Sequence, residues 1–362
     1  MLATKDYDSI VIGGGIAGCS VAYELNVLGH KVLLLEAKKI ASGSSYAAGA
    51  FISPMLGLPN DNKSFVNAAF FYTTDFYSSK FPTHFLQKGV NRIPKDREDA
   101  KDFERYYQYI DLKFSKKGQG CFFKEGGIVD SVALCQALIK GIDTVENTSV
   151  DTIKKVDEYW NIKDFKANNI VFATGASTGV VDIPYAPIRG VWGERITIES
   201  SLPLPYNQHK KVSISAQLGE NKIIIGATSV KNNTQKKVDN QAAQKLLESA
   251  SDMIDFHEAK VIDLRFGMRP ASHDYLPMVG ALFDIDANIR AYPEITNGRF
   301  ISDEKFIVHD GLYLHNGHGA RGFVTAPYTA QFLAKLIVDG NEIPKTFDTK
   351  RLFRRWVKRI KQ

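Results

Sequence analysis

The spacing of apolar and polar positions changes several times along these 362 residues, and each change predicts an element. Tyr7 to Ile12 reads as a strand, Ile16 to Leu28 recurs at helical spacing, and Lys31 to Leu35 is a second strand ending on Glu36. Phe65 to Phe85 is dense in aromatic residues and predicts a buried helix, its aromatic stripe belonging to core rather than to a cofactor stack. Asp96 to Tyr109 is charged and predicts an exposed segment. Asp130 is placed to cap a helix from Ser131 to Lys140. Val145 to Trp160 predicts strands, and Ile170 to Gly175 a short buried strand ending in a small-residue turn.

From Pro187 the texture becomes β. Val191 to Glu199, Lys211 to Gln217 and Lys222 to Val230 show apolar runs or alternation, with Leu218 to Asn221 as a hairpin turn. A helix, Asn240 to Ile254, and a strand, Ala259 to Arg265, follow. Phe306 to Val308 and Gly311 to His315 predict strands, Gly317 to Gly322 is a glycine-rich loop, and Ala326 to Val338 a helix with Pro327 near its start. No internal repeat or low-complexity segment interrupts this order. An α/β texture at both ends with a mostly β block between predicts a discontinuous nucleotide domain with a substrate domain inserted into it.

A chain of this length suits two lobes, and 44% hydrophobic with 24% charged residues is a globular composition. No apolar run is long enough to span a membrane, and the N-terminus runs almost directly into a strand, so neither stable membrane insertion nor a signal peptide is expected. Cys19, Cys121 and Cys135 lack metal-ligand or redox spacing, which predicts no metal site, reduced thiols and a cytoplasmic location. The net charge of +6 is concentrated at the end: Lys350, Arg351, Arg354, Arg355, Lys358, Arg359 and Lys361 fall there with no acid among them. Leu352, Phe353, Trp356, Val357 and Ile360 give that tail an apolar stripe. Three readings stand side by side: a docked helix with a solvated basic face, a contact to nucleic-acid phosphates, and a membrane-surface helix.

The chemistry begins at the first turn. Gly13, Gly15 and Gly18 form a G-x-G-x-x-G run between strand and helix, the arrangement that lets a backbone approach a dinucleotide pyrophosphate at a helix N-terminus. Glu36, eighteen residues after Gly18, is spaced to accept hydrogen bonds from a ribose 2′-hydroxyl. This leaves NAD and FAD open. Ala173-Thr174-Gly175 lets backbone pass close to a cofactor, and with the fingerprint it favours FAD. Asn316 to Gly322, just before a helix, offers N–H groups and a positive helix end to a flavin ring. In Phe266-Gly267-Met268-Arg269-Pro270, after a predicted strand, Arg269 is placed to grip a carboxylate; a structural ion pair of Arg269 or Arg265 is the plainer alternative.

These motifs, with the Ser42-Gly43 loop and Pro187-Ile188-Arg189-Gly190, occur in this order in the D-amino-acid-oxidase-like flavoproteins, which include glycine oxidase and sarcosine oxidase, and the chain resembles that family over nearly its whole length. The resemblance implies an α/β fold: a Rossmann-like FAD-binding domain at 1–80, 125–187 and 305–345, an inserted α+β antiparallel-sheet substrate domain at 81–124 and 188–304, and a basic C-terminal helix at 346–362. It carries FAD contacts onto Gly13, Gly15, Ile16, Ala17 and Gly18, and onto Glu36, Ala37 and Lys38. It carries them also onto Ser42, Gly43, Ser44, Ser45, Ala48 and Gly49, onto Val150, and onto Ala173, Thr174 and Gly175. In the late loop the implied contacts are Gly317, Gly319, Ala320, Arg321, Gly322 and Phe323; Arg269, His318 and Arg321 are the catalytic candidates.

Within the family, the stretch Met268 to Gly280 and the loop Gly317-His318-Gly319-Ala320-Arg321-Gly322 are similar to the FAD-dependent oxidase module of the bifunctional tRNA wobble-uridine modification proteins. His273 departs from the arginine usual before Asp274, and Pro270 is nearer the glycine-oxidase pattern. The resemblance implies removal of the carboxymethyl group of 5-carboxymethylaminomethyl-(2-thio)uridine in tRNA, by hydride transfer to flavin N5 and imine hydrolysis, giving aminomethyl-uridine and glyoxylate. Molecular oxygen or another acceptor takes the electrons. No methyltransferase module precedes the fingerprint, so a free-standing oxidase is expected, with a separate methyltransferase for the product. The basic tail fits a tRNA partner. The alternative is an oxidase or dehydrogenase of glycine, sarcosine or D-amino acids; a flavin protein without turnover and an NAD-dependent dehydrogenase are further rivals.

Overall fold

The computed structural model describes residues 5–177, 180–231, 240–256 and 258–360. Residues 1–4 of the expected FAD domain and Lys361 and Gln362 of the tail lie outside the described residues, as do 178–179, 232–239 and 257.

The apolar runs near the N-terminus are strands covered on both faces. Lys5–Ile12 lies between Val32–Leu35 and Phe165–Phe172, parallel to both. Asp143–Val145 extends the sheet beyond Val32–Leu35, and Val308–Asn316 joins parallel to Phe165–Phe172 on the other side. Ile10, Val11, Leu33, Leu34 and Ile170 are buried, as continuous hydrophobic strands of a parallel sheet must be. Helices Ile16–Val27 and Gly322–Asp339 pack together on one face. The aromatic helix is Asp61–Lys80: Asn60 caps it by accepting the Lys63 N–H at 2.9 Å, and it stops before Phe81-Pro82 rather than running to Phe85. Its rings are core, with Phe65, Phe70, Phe76 and Tyr77 buried, although Phe71 faces solvent.

The second, antiparallel sheet is built around Arg189–Glu199, flanked by Lys222–Gly226 and Lys260–Ala271. Val90–Arg92, Gly120–Phe123 and Asn207–His209 continue it. The pattern predicted the long strands here but not these short ones, which carry too few residues to show a period. Lys211 to Gln217 narrows to Ser213–Ile214. Lys260–Ala271 runs six residues past the predicted end, so Met268-Arg269-Pro270 lies inside a strand rather than after one. Pro270 is tolerated there opposite Gly190. Val145 to Trp160 is only partly extended, with strands at Lys154–Val156 and Tyr159–Ile162. Met278–Phe283, within the stretch 188–304 expected for the substrate domain, pairs with Val308–Asn316 in the first sheet.

The C-terminal helix, Thr349–Val357, is docked. Leu352, Phe353 and Val357 are buried, and its cations are paired internally: Arg351 with Asp274 at 3.2 Å, Arg355 with Asp274 at 3.4 Å, Lys350 with Asp303 at 3.8 Å, and Arg354 with Asp303. Of the three readings of the tail, the docked helix describes how it packs; four of its cations share the carboxylates of Asp274 and Asp303, while Lys358 and Arg359 form no ion pair among the described residues. Among the described residues no helix is long and apolar enough to cross a membrane, and no cluster of metal-ligating side chains forms. The three cysteines are buried and free, Cys19 as packing on the first helix.

Candidate active site

Three glycine segments far apart in sequence meet at the carboxyl ends of the parallel strands, where α/β sheets bind ligands. Gly13 N–H donates to Leu35 O at 2.8 Å and Ala173 N–H to Ile12 O at 2.9 Å, which sets the fingerprint beside the Ala173-Thr174-Gly175 turn. Gly13 has φ +111°, and a Cβ there would lie 2.4 Å from Ala173 O. A Cβ at Gly18 would lie 1.8 Å from Gly13 O, so helix and strand approach as closely as they do only because both residues are glycine.

The polar loop after the second strand folds over the helix start. Ile16 N–H donates to Ser45 Oγ at 3.0 Å. Glu36 Oε2 accepts Gly14 N–H at 2.7 Å and Oε1 accepts Lys38 N–H at 2.9 Å, which orients the carboxylate and leaves lone pairs for a further donor. Glu36 O also accepts Thr148 N–H, and Lys38 O accepts Asn147 N–H, so 36–38 lies along the segment that leads to buried Val150. Ser44 and Gly43 press against Gly267 of the antiparallel sheet, and Ala48 N–H donates to Ser45 O at 3.3 Å; Gly49 faces the Phe51 ring.

The late loop closes the arrangement. Asn316 Nδ2 donates to Gly175 O at 3.0 Å, tying it to the Ala-Thr-Gly turn. The following helix begins at Gly322, four residues before its predicted start, where a Cβ would meet Ile16 Cγ2 at 3.1 Å, so two helix N-termini adjoin. Tyr77 and Thr73 hold that start by donating to Phe323 O and Val324 O at 2.8 and 2.7 Å.

Between this loop and the antiparallel sheet lies a cavity of about 390 Å³, walled by Arg269, Gly317, His318, Gly319, Ala320 and Arg321 among the expected residues. Arg269 Nη1 donates to Thr228 O at 3.0 Å and has no ion pair among the described residues. It is Arg265 that takes the structural pair, with Asp263 at 2.7 Å. Burial lowers the pKa of Arg269, an uncompensated cation that an anionic ligand would relieve. His318 is neutral: burial, then neighbouring His315, push it well below its ordinary 6.5. Its tautomer follows from its partner. Thr325 Oγ1 donates to Arg321 O at 3.1 Å, so at 2.9 Å it accepts from His318 Nδ1–H, and Nε2 carries the lone pair. That Nε2 and Ser272 Oγ are buried without a partner.

Arg189, Ser272 and Tyr275 are among the wall residues the sequence reading missed. Arg189 lies over the Tyr275 ring, 5.6 Å from its centroid, and its Nε is buried without a partner. Ser272 and Tyr275 come from the turn after the Arg269 strand. The available signal was their place inside motifs already singled out, Pro187 to Gly190 and Met268 to Gly280.

The family model described as "FAD dependent oxidoreductase" (DAO) matches residues 8–336. The chain belongs to this family. FAD is its cofactor, and it is an FAD-dependent oxidoreductase. It is 25% identical over 375 residues to the "tRNA 5-methylaminomethyl-2-thiouridine biosynthesis bifunctional protein MnmC" of Legionella pneumophila (strain Lens), covering 92% of this chain and 54% of that protein. It is 27% identical over 363 residues to the same-named protein of Campylobacter concisus, covering 91% and 56%. The chain thus spans about half the length of these curated relatives. Its fold is that of glycine oxidase from Geobacillus kaustophilus (TM-score 0.73, 20% identity, 94% and 96% covered) and of L-proline dehydrogenase from P. horikoshii (TM-score 0.75, 16% identity, 97% and 98% covered). The residues fit the cofactor: Gly13, Gly15 and Gly18 carry no Cβ at the strand-to-helix approach, and Glu36 is held with lone pairs to spare.

Proposed function

We propose that this FAD-dependent oxidoreductase removes the carboxymethyl group of 5-carboxymethylaminomethyl-(2-thio)uridine at the tRNA wobble position. The observation that carries the proposal is Arg269, a half-buried guanidinium without a counter-ion among the described residues, on the cavity wall of a chain whose curated relatives bear the name MnmC. The substrate side chain is an N-substituted glycine and supplies the carboxylate that Arg269 lacks. Charge-assisted pairing of that kind is worth about 1.5–3 kcal/mol. It fixes the N–CH2 carbon, so the reacting bond is oriented before chemistry begins.

The amine must be neutral to be oxidised, and the dry wall disfavours its charged form. His318, held neutral by burial with its Nδ1–H on Thr325, is a wall residue beside the amine and adds no positive charge there. Bound FAD supplies the two-electron acceptor. R–NH–CH2–COO⁻ loses two electrons and two protons, giving R–N=CH–COO⁻; water adds, and the C–N bond breaks to leave aminomethyl-uridine and glyoxylate. Oxygen or another acceptor then takes the electrons, and a separate methyltransferase would use the amine. In this reading the first sheet and its glycine segments hold the cofactor, through the contacts set out from the sequence, and the antiparallel sheet presents the substrate. A cytoplasmic setting goes with it.

The second reading is an oxidase or dehydrogenase of glycine, sarcosine or D-amino acids, which a cavity of about 390 Å³ also accommodates. Mass spectrometry of tRNA nucleosides from a strain lacking the protein separates the two. Accumulated carboxymethylaminomethyl-uridine supports the first; an unchanged nucleoside profile, with flavin bleached by glycine or sarcosine, replaces it with the second.

A further inference from the structure

A second group of basic side chains lies beside the cavity and includes Arg321, whose guanidinium the steps above leave unused. Val90–Arg92 pairs with Asn207–His209 so that Arg92 and His209 stand directly opposite, on one face of the sheet. Arg321 reaches the same place from the late loop. Its Nη1 donates to Ser53 O at 3.2 Å, while Arg92 Nη1 donates to Ser53 Oγ at 3.3 Å and Pro54 O at 3.1 Å. The next residue, Met55, lines the cavity, as does Arg321 itself.

All the partners of these two guanidiniums are neutral oxygens, and neither forms an ion pair among the described residues. Arg92 Nε is shut off from solvent with no partner. The proximity is felt electrostatically. Burial and then Arg321 lower Arg92 to about 9, with Asp99 opposing. His209 is lowered by burial, then by Arg92, Arg321 and Lys95. Asp99 is committed elsewhere, its Oδ2 accepting Lys95 N–H at 2.8 Å. Holding two carbonyls and a hydroxyl needs only neutral donors. Two guanidiniums that share Ser53, beside a His209 they help to hold neutral, cost free energy that an oxyanion between them would return.

We infer that Arg92 and Arg321, with His209 opposite Arg92, form a subsite for a phosphate of the substrate nucleotide, joined through Arg321 to the cavity that Arg269 also lines. The inference rests on the proposed function and deepens it. A ligand that satisfies both stations carries two anionic groups, a carboxylate on the base and a phosphate on the sugar. A wobble nucleotide has both, whereas glycine and sarcosine have one. The subsite is thus a device for choosing nucleotides over free amino acids.

The test compares uridine 5′-monophosphate with uridine by calorimetry on the flavin-loaded protein. The monophosphate is expected to bind at least about tenfold more tightly than uridine. Arg92→Gln should bring that ratio close to one, and Arg92→Lys should retain part of it, which guards against simple misfolding. A ratio near one in the wild type, or a ratio that Arg92→Gln leaves unchanged, overturns the subsite. Anaerobic bleaching of the flavin by 5-carboxymethylaminomethyl-uridine reads the functional proposal separately. Bleaching without a phosphate preference removes only the subsite; a phosphate preference without bleaching leaves the subsite standing and removes the substrate assignment.

Discussion

Gly193→Ala tests whether it is the placement of Arg269, rather than its presence, that the reaction uses. Gly193 pairs with Gly267 across the strands that carry Arg269, and the arginine side chain lies over the hydrogen that a methyl would replace. An added Cβ would sit 2.2 Å from Arg269 Nη2, 2.3 Å from Cζ and 2.6 Å from Nη1. Ordinary contact begins at 3.4 Å, so the guanidinium must retreat by about 1 Å, enough to misalign a bidentate pair. The obstacle is the end of a flexible side chain, and alanine is at least as good as glycine in a strand, by about 0.5 kcal/mol, so the fold should tolerate the change. Losing a charge-assisted pair of about 1.5–3 kcal/mol corresponds to a rise in KM of about 10- to 100-fold for a carboxylated amine. Steady-state kinetics, with flavin content read from absorbance, measure this. Arg269→Ala should raise KM at least as much with flavin still bound, and the double variant should be no worse than Arg269→Ala alone, because both changes remove one interaction. A Gly193→Ala enzyme that keeps its flavin and whose KM stays within about twofold of wild type would refute the role given to Arg269.

Gly18→Ala should yield protein without bound flavin, or none that folds, because its Cβ meets backbone at 1.8 Å, a clash costing about 3 kcal/mol; flavin absorbance of the purified protein checks it. Arg351→Ala should destabilise the chain by about 2–3 kcal/mol in denaturant titration, since it leaves Asp274 with only the longer Arg355 pair and frees the Leu276 and Pro277 carbonyls beside the cavity turn. Burial raises the Asp274 carboxyl, but the Arg351 guanidinium and the Leu276 N–H outweigh it and leave a net shift below 3.8; its contribution is therefore present at neutral pH and lost as acid titrates it below that value, a loss Asp274→Asn should not show. Burial pushes His315 down to about 4, so on unfolding below pH 6.5 it takes up a proton, and stability should fall by about 3 kcal/mol between pH 6.5 and 4; His315→Gln should flatten that slope in denaturant titrations across pH.

What the sequence could announce depended on how local the cause was. Gly13, Gly18 and Glu36 were legible because one strand–turn–helix unit makes them necessary, and the clash at Gly18 involves only a residue five positions away. The family resemblance supplied the late loop and Arg269, but not the strand that runs through Pro270, since a proline ordinarily argues against a central strand position. Arg189, Tyr275 and Arg92 were invisible for a different reason. Each matters through what it meets across the fold, and no spacing in sequence records that Arg92 faces His209 or that Arg321 reaches Ser53.

The basic tail shows how such reasoning goes astray. Counting charge along a segment measures what it could offer a partner only if the rest of the chain leaves that charge unspent. Asp274 and Asp303 lie outside the tail in sequence, yet in space each faces two of its cations and offsets part of their charge. Arg92 shows the opposite case: it lies in a stretch of mixed charge that attracts no attention, yet folding strips it of every carboxylate partner among the described residues. Unpaired charge in a folded setting, more than abundant charge in sequence, is what the proposed subsite at Arg92 and Arg321 rests on.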